Sequence, residues 1–159
     1  MNATNDAARA RTRDTQRRLA ALAAMAATIA LGLASRHWPG ALPAALGKYP
    51  GDALWALMVF FAWRALRPRV RTRGVALLAL ATSVVVECAK LWQAPWLVAF
   101  RYTTIGHLLL GHVFSWQNLV AYAVGVAIGV ALERLLPGRP EAGPGFAPPR
   151  VARQSSPEH

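Results

Sequence analysis

The sequence predicts an all-α, polytopic membrane protein. Four transmembrane helices form a bundle, with an interfacial or re-entrant segment between the third and the fourth. Three observations carry that expectation. Hydrophobic residues fill 55% of the 159 positions and charged residues only 16%, where an average soluble domain is about a quarter charged. The charges are clumped and leave long apolar runs between them. The clumps are also asymmetric, rich in arginine after every second run, as membrane topology requires.

Residues 1–18 read as a basic cytoplasmic tail, mobile at its start, carrying Arg9, Arg11, Arg13, Arg17 and Arg18. Residues 19–35 then run for 17 positions without a charge. As a helix they reach about 25 Å at 1.5 Å per residue, enough for a hydrocarbon core of about 30 Å once flanking residues snorkel. A signal peptide is the competing reading. The basic flank fits it, Gly32-Leu33-Ala34 loosely resembles a cleavage site, and Arg17-Arg18 suits a twin-arginine signal. The apolar spans that follow favour the membrane helix.

Residues 36–50 hold Trp38, Pro39, Pro43 and Pro50 and read as a loop of interfacial character. Residues 51–66 form the second span, with Arg64 near its end and able to snorkel. Arg64, Arg67, Arg69, Arg71 and Arg73 then mark a cytoplasmic loop. Residues 74–92 form the third span, apolar except for Thr82 and Ser83 until Glu87 and Lys90. In residues 93–115 Arg101, His107 and His112 interrupt the apolar positions. That segment is predicted to be interfacial or re-entrant, because irregular backbone at membrane depth needs protein around it. Residues 116–136 form the fourth span. Gly125 and Gly129 in it make a small-xxx-small pair that permits close helix approach, and Pro137 ends it. The membrane domain thus covers 19–137, and residues 138–159, rich in Pro, Gly and Arg, read as a disordered cytoplasmic tail.

Of the 18 basic residues, fourteen lie in the N-terminal tail, the 64–73 loop and the C-terminal region (Arg134, Arg139, Arg150, Arg153). Arg36, Lys48, Lys90 and Arg101 are the rest. The positive-inside rule places both termini in the cytoplasm, and an even number of spans agrees. A net charge of +11 would suggest nucleic acid in a soluble protein. Here topology accounts for it, and the expected partner is the lipid bilayer rather than nucleic acid.

With that orientation the polar residues gather at one depth, away from the cytoplasm. Asp52 begins span two, and Glu87 and Lys90 end span three. Arg101, His107 and His112 lie in the connection, and Trp116, Asn118 and Tyr122 begin span four. Ionisable residues in spans usually pair and face the bundle interior. Glu87 and Lys90, three apart, share a helix face. They are either an ion pair that holds helices together, or a site in which Glu87 contacts substrate or accepts a proton. Asp52 suits the helix dipole at its end and suits a site equally. Arg101 needs an anion: Glu87, Asp52 or a lipid phosphate. His107 and His112 are five apart, which favours hydrogen-bonded histidines over metal ligands. Cys88, the single cysteine, reads as an inert buried thiol. Trp55, Trp63, Trp92, Trp96 and Trp116 read as interfacial belt or core. No phosphate loop or nucleophile elbow is present, and nothing calls for a cofactor or a metal.

Gly51-Asp52, Trp55, Phe60, Glu87, Gln93-Ala94-Pro95-Trp96, Arg101, Gly106-His107, Gly111-His112, Phe114, Trp116, Tyr122 and Gly125 stand in a combination that resembles an uncharacterised bacterial membrane family, domain of unknown function 2809. The resemblance runs over residues 30–133. More distantly the chain resembles the VanZ-like family, with an acid in one span, an Arg in the next loop and a polar pattern entering the following span. Glu87, Arg101, Asn118, Tyr122 and Gly125 take those places. Two positions depart: Asn118 stands where an acid is usual, and Lys90 where Gln is expected. A mechanism needing a second carboxylate at 118 is therefore in doubt. That resemblance implies a link to envelope or glycopeptide tolerance and no agreed chemistry.

Two functions follow as expectations. One is a non-enzymatic envelope protein of the bacterial inner membrane. Its outward polar cleft would take a lipid headgroup or a partner helix, a second copy included, on the Gly125/Gly129 face. The other is a membrane enzyme or proton-coupled carrier acting on a lipid-linked or small anionic substrate through Glu87, Arg101 and Asp52. A thin bundle leaves little room for a large cavity, which favours binding or structure.

Overall fold

The computed structural model describes residues 3–37, 49–111 and 114–135. They form six helices and no strand: α1 (Ala3–His37), α2 (Tyr49–Leu66), α3 (Thr72–Ala89), α4 (Pro95–Arg101), α5 (Thr104–Leu110) and α6 (Trp116–Leu135). Three helical stretches are long and apolar enough to cross a membrane: Asn5–Ser35, Thr72–Ala89 and Trp116–Leu135.

The alanine-rich start of the chain is helical from Ala3 onward, continuous with the apolar run after it. Alanine has the highest helix propensity. Thr12, Thr15 and Thr28 return their hydroxyls to the carbonyls of Ala8, Arg11 and Ala24, so none of the three breaks the helix. The basic segment predicted as a tail is therefore part of a 35-residue helix. The Asp14 carboxylate, 2.7 Å from Arg69, holds it against the turn after α2.

α2 starts with Pro50 in its first turn, where a missing N–H costs nothing. It stops at Leu66 because Pro68 disfavours helix at the residue before it. Its 18 residues equal α3 in length, but Tyr49, Pro50, Asp52 and Arg64 lower its hydropathy. α2 is nevertheless the central element and packs against α1, α3 and α6, while α3 also packs against α6. The core comprises Ala56, Leu57, Val59, Phe60 and Phe61 of α2, Val75 and Ala79 of α3, and Tyr122 and Val126 of α6. On α3 the buried positions are Val75, Ala79, Ser83 and Glu87. That four-residue spacing gives one stripe along the helix.

Gly125 sets the approach of α6 to α2. A Cβ there would fall inside the carbonyl of Ala53, and one on Gly129 would lie 2.6 Å from the Phe60 ring. The glycine pair is thus consumed within the chain and is not an open face for a partner helix.

Residues 93–115 do not form a single span. Pro95 opens α4 and the Thr103 hydroxyl caps α5 by accepting from the Gly106 amide at 3.0 Å. Seven residues each, these helices reach about 10 Å. Of the predicted loop at 36–50, residues 36–37 belong to α1 and 49–50 to α2; its remainder, His112 and the predicted tail at 138–159 lie outside the described residues.

Candidate functional site

The polar residues of α3 and α6 meet at one carboxylate. Glu87 ends the buried stripe of α3, and its side chain is 1% exposed. Oε2 lies 2.6 Å from the Lys90 ammonium and accepts from the Tyr122 hydroxyl at 2.8 Å. Oε1 accepts from the Ser115 backbone amide at 2.7 Å and from Asn118 Nδ2 at 3.1 Å. Lys90 Nζ also stands 3.5 Å from the Tyr122 oxygen. One acid therefore receives four donors from α3, α6 and the turn entering α6.

The local sequence explains the convergence. Lys90 lies one turn after Glu87 at the C-cap of α3, so the pair forms without a second element. Asn118 and Tyr122 are four apart in α6 and lie over each other on its buried face. The Ser115 amide precedes α6, where the first N–H groups of a helix have no internal partner. Gly111 closes α5 with φ 64°, and a Cβ added there would lie 3.4 Å from Lys90 Nζ. A glycine meets both requirements, because it adopts positive φ without strain and keeps the chain close over the lysine.

Arg101 is buried as predicted, but its partner differs. It forms no ion pair among the described residues. Its guanidinium donates to the carbonyls of Lys90 at 3.4 Å, Trp92 at 2.9 Å and Ala89. These are carbonyls at and just beyond the end of α3, which helix geometry leaves without intrahelical donors. The negative end of the helix dipole replaces the expected anion. Arg101 thereby clamps α4 onto the end of α3.

Asp52 lies in the first turn of α2, half-buried, and acts electrostatically on the Tyr122 phenol. Trp55, one turn later, packs its ring 5.5 Å from Tyr122. His107 and Trp116 are exposed, and Trp116 stacks edge-on against Phe114 at 5.1 Å. Arg101 forms no ion pair with Asp52 or Glu87, since its guanidinium donates to main-chain carbonyls. Cys88, expected to be buried, is exposed, because the 100° step from Glu87 turns it off the stripe. The polar residues at the centre of the cluster are sealed: Lys90 is 5%, Asn118 1%, Tyr122 3% and Arg101 3% exposed. They make a buried knot, not an open cleft.

A second polar layer went unread in the sequence. Arg64, expected to snorkel, is buried and pairs with Glu133 of α6 at 2.5 Å. It also donates to the Val70 carbonyl at 2.6 Å. Their separation of sixty-nine positions carries no local signal. The available clue was an acid and a base each placed at the same end of an apolar helix.

Fold and site together define a small all-helical protein with membrane-span-like helices closed around a sequestered, fully partnered carboxylate. The family model described as "Protein of unknown function (DUF2809)" matches residues 41–126. The chain belongs to that family. The matched stretch takes in Asp52, Glu87, Lys90, Arg101, Asn118, Tyr122 and Gly125, and stops short of Gly129 and Glu133. No solved structure matches the chain.

Proposed function

We propose that the protein is a four-span integral protein of the bacterial inner membrane, with both termini cytoplasmic, that serves the envelope by binding or structure rather than by catalysis. The fourth span is α2. Packed between α1, α3 and α6, it is shielded from lipid on several sides, which is where a helix tolerates an Asp and an Arg. Orientation rests on the arginine count and the even number of spans. The envelope assignment draws on the VanZ-like resemblance.

One observation carries the choice of structure over catalysis. Both oxygens of Glu87 are occupied by internal donors in a site closed to solvent. A general base or a substrate-binding carboxylate needs an open position within hydrogen-bond reach of its target. Arg101, the other residue that a carrier would need, is committed to main-chain carbonyls. The exposed rings of Trp92, Trp96, Tyr102 and Trp116 suit the lipid–water boundary, where aromatic side chains concentrate. A lipid headgroup is accordingly the ligand to seek on that side.

The double variant Glu87→Gln/Lys90→Met separates the two roles. Replacing a buried ion pair by groups of similar volume is often neutral for stability. If Glu87 is structural, the double variant melts close to wild type in detergent and restores the envelope phenotype of a deletion strain. A double variant that is stable yet fails to complement would sink the structural reading and revive the catalytic one.

A further inference from the structure

The arginine-rich end of the bundle carries a surface that topology alone does not require. Asp14 of α1 and Arg69 of the turn between α2 and α3 form an ion pair at 2.7 Å. That contact brings two basic segments, more than fifty residues apart in sequence, onto one surface. Arg11 and Arg18 lie three and four residues from Asp14, on the helix face that meets the turn. Both are exposed, and so are Arg67, Arg71 and Arg73 across from them. Among the described residues, the acids nearest to them are taken: Asp14 by Arg69, and Glu133 by the buried Arg64. Among the described residues at this end that leaves Asp6, eight positions further out along α1.

We propose that this collar is a binding site for the phosphate of anionic phospholipids in the leaflet that it borders. Depth argues for lipid over a soluble partner. Arg18 immediately precedes the apolar run of α1, Arg67 follows the last residue of α2, and Arg73 lies in the first turn of α3. With the apolar runs in hydrocarbon, all three guanidinium groups stand at headgroup level. Residue type argues for phosphate. Neither basic segment, 1–18 or 64–73, contains a lysine, and the collar is made of arginine, whose planar fork binds phosphate oxygens in pairs. The cluster matches the juxtamembrane polybasic pattern that selects anionic lipid. This inference rests on the membrane orientation proposed above.

Native mass spectrometry of the full chain, purified in mild detergent and offered equal phosphatidylglycerol and phosphatidylcholine, reads the selection directly. Wild type is expected to retain phosphatidylglycerol over phosphatidylcholine by about tenfold. The variant Arg67→Gln/Arg71→Gln/Arg73→Gln leaves the Asp14–Arg69 pair intact and should bring the ratio near one. The corresponding triple Lys variant keeps the charge, guards against a folding or insertion defect, and should fall between the two. Equal retention of both lipids by wild type, or an unchanged preference in the Gln variant, overturns the proposal. Displacement of phosphatidylglycerol by a stoichiometric short oligonucleotide would overturn it as well, in favour of a soluble polyanion. Carbonate extraction of membranes from the same cells tests the orientation's premise separately. A chain that stays in the pellet without lipid preference refutes the collar and leaves the membrane reading standing.

Discussion

A carboxylate inside an apolar bundle persists only if its charge and its lone pairs are both answered, because a buried ion left alone costs several kcal/mol. At Glu87 the two tasks fall to different residues. Lys90 supplies the opposite charge, while Asn118, Tyr122 and the Ser115 amide supply donors. Lys90 and Asn118 are therefore not independent positions, since both touch the same acid. Removing one donor and removing the acid have unequal consequences. Tyr122→Phe deletes a single hydrogen bond and should cost about 0.6 kcal/mol, the average measured within membrane bundles. Glu87→Ala strands the buried Lys90 and should cost about 3 kcal/mol or more. Unfolding titrations of both variants in mixed micelles compare them. Equal losses would mean that the ammonium is answered by something other than Glu87.

At the scale of elements, much of the pattern was legible and the interhelical partners were not. The three long apolar helices and the Glu87–Lys90 pairing follow from periodicity and spacing along one helix. Even the outward turn of Cys88 is implicit in the stripe Val75, Ala79, Ser83 and Glu87, once the stripe is taken as the buried face. The partners of Arg101 are hidden in the sequence for a physical reason. Its acceptors are main-chain carbonyls, which every residue has, so no side chain announces them. Gly125 and Gly129 signalled close packing, but not that α2 fills the groove. Their roles differ in what each meets. Gly125 faces the backbone of Ala53, which has no rotamer to give, while Gly129 faces the ring of Phe60, which can tilt. Gly125→Ala is expected to separate α2 from α6 and lower the melting temperature more than Gly129→Ala. Small-to-large changes in packed cores typically cost about 1–3 kcal/mol, so the difference is measurable by thermal unfolding in detergent. The reverse order would show that the two helices cross closest near Phe60.

Across the whole molecule, two buried polar layers bracket an apolar middle. The Arg64–Glu133 pair closes one end, and the Glu87 knot closes the other. Eleven to fifteen helical residues separate them along α2, α3 and α6, roughly 16–22 Å at 1.5 Å per residue. That is less than a hydrocarbon core of about 30 Å. In the proposed orientation at least one layer therefore lies within the hydrocarbon, protected by protein. Polar contacts supply specificity where lipid tails and apolar side chains offer no contrast. The arrangement also fixes which loops must emerge on which side, and a cysteine scan reads that out. In a Cys88→Ser background, Trp96→Cys in α4 and Arg71→Cys in the turn before α3 both sit at exposed positions. A membrane-impermeant maleimide applied to intact spheroplasts should label Trp96→Cys at once and Arg71→Cys only after permeabilisation. The inverse labelling would turn the bundle over and put the arginine collar outside. Labelling of both in intact spheroplasts would mean that α3 does not cross the bilayer, and the four-span reading would fall with it.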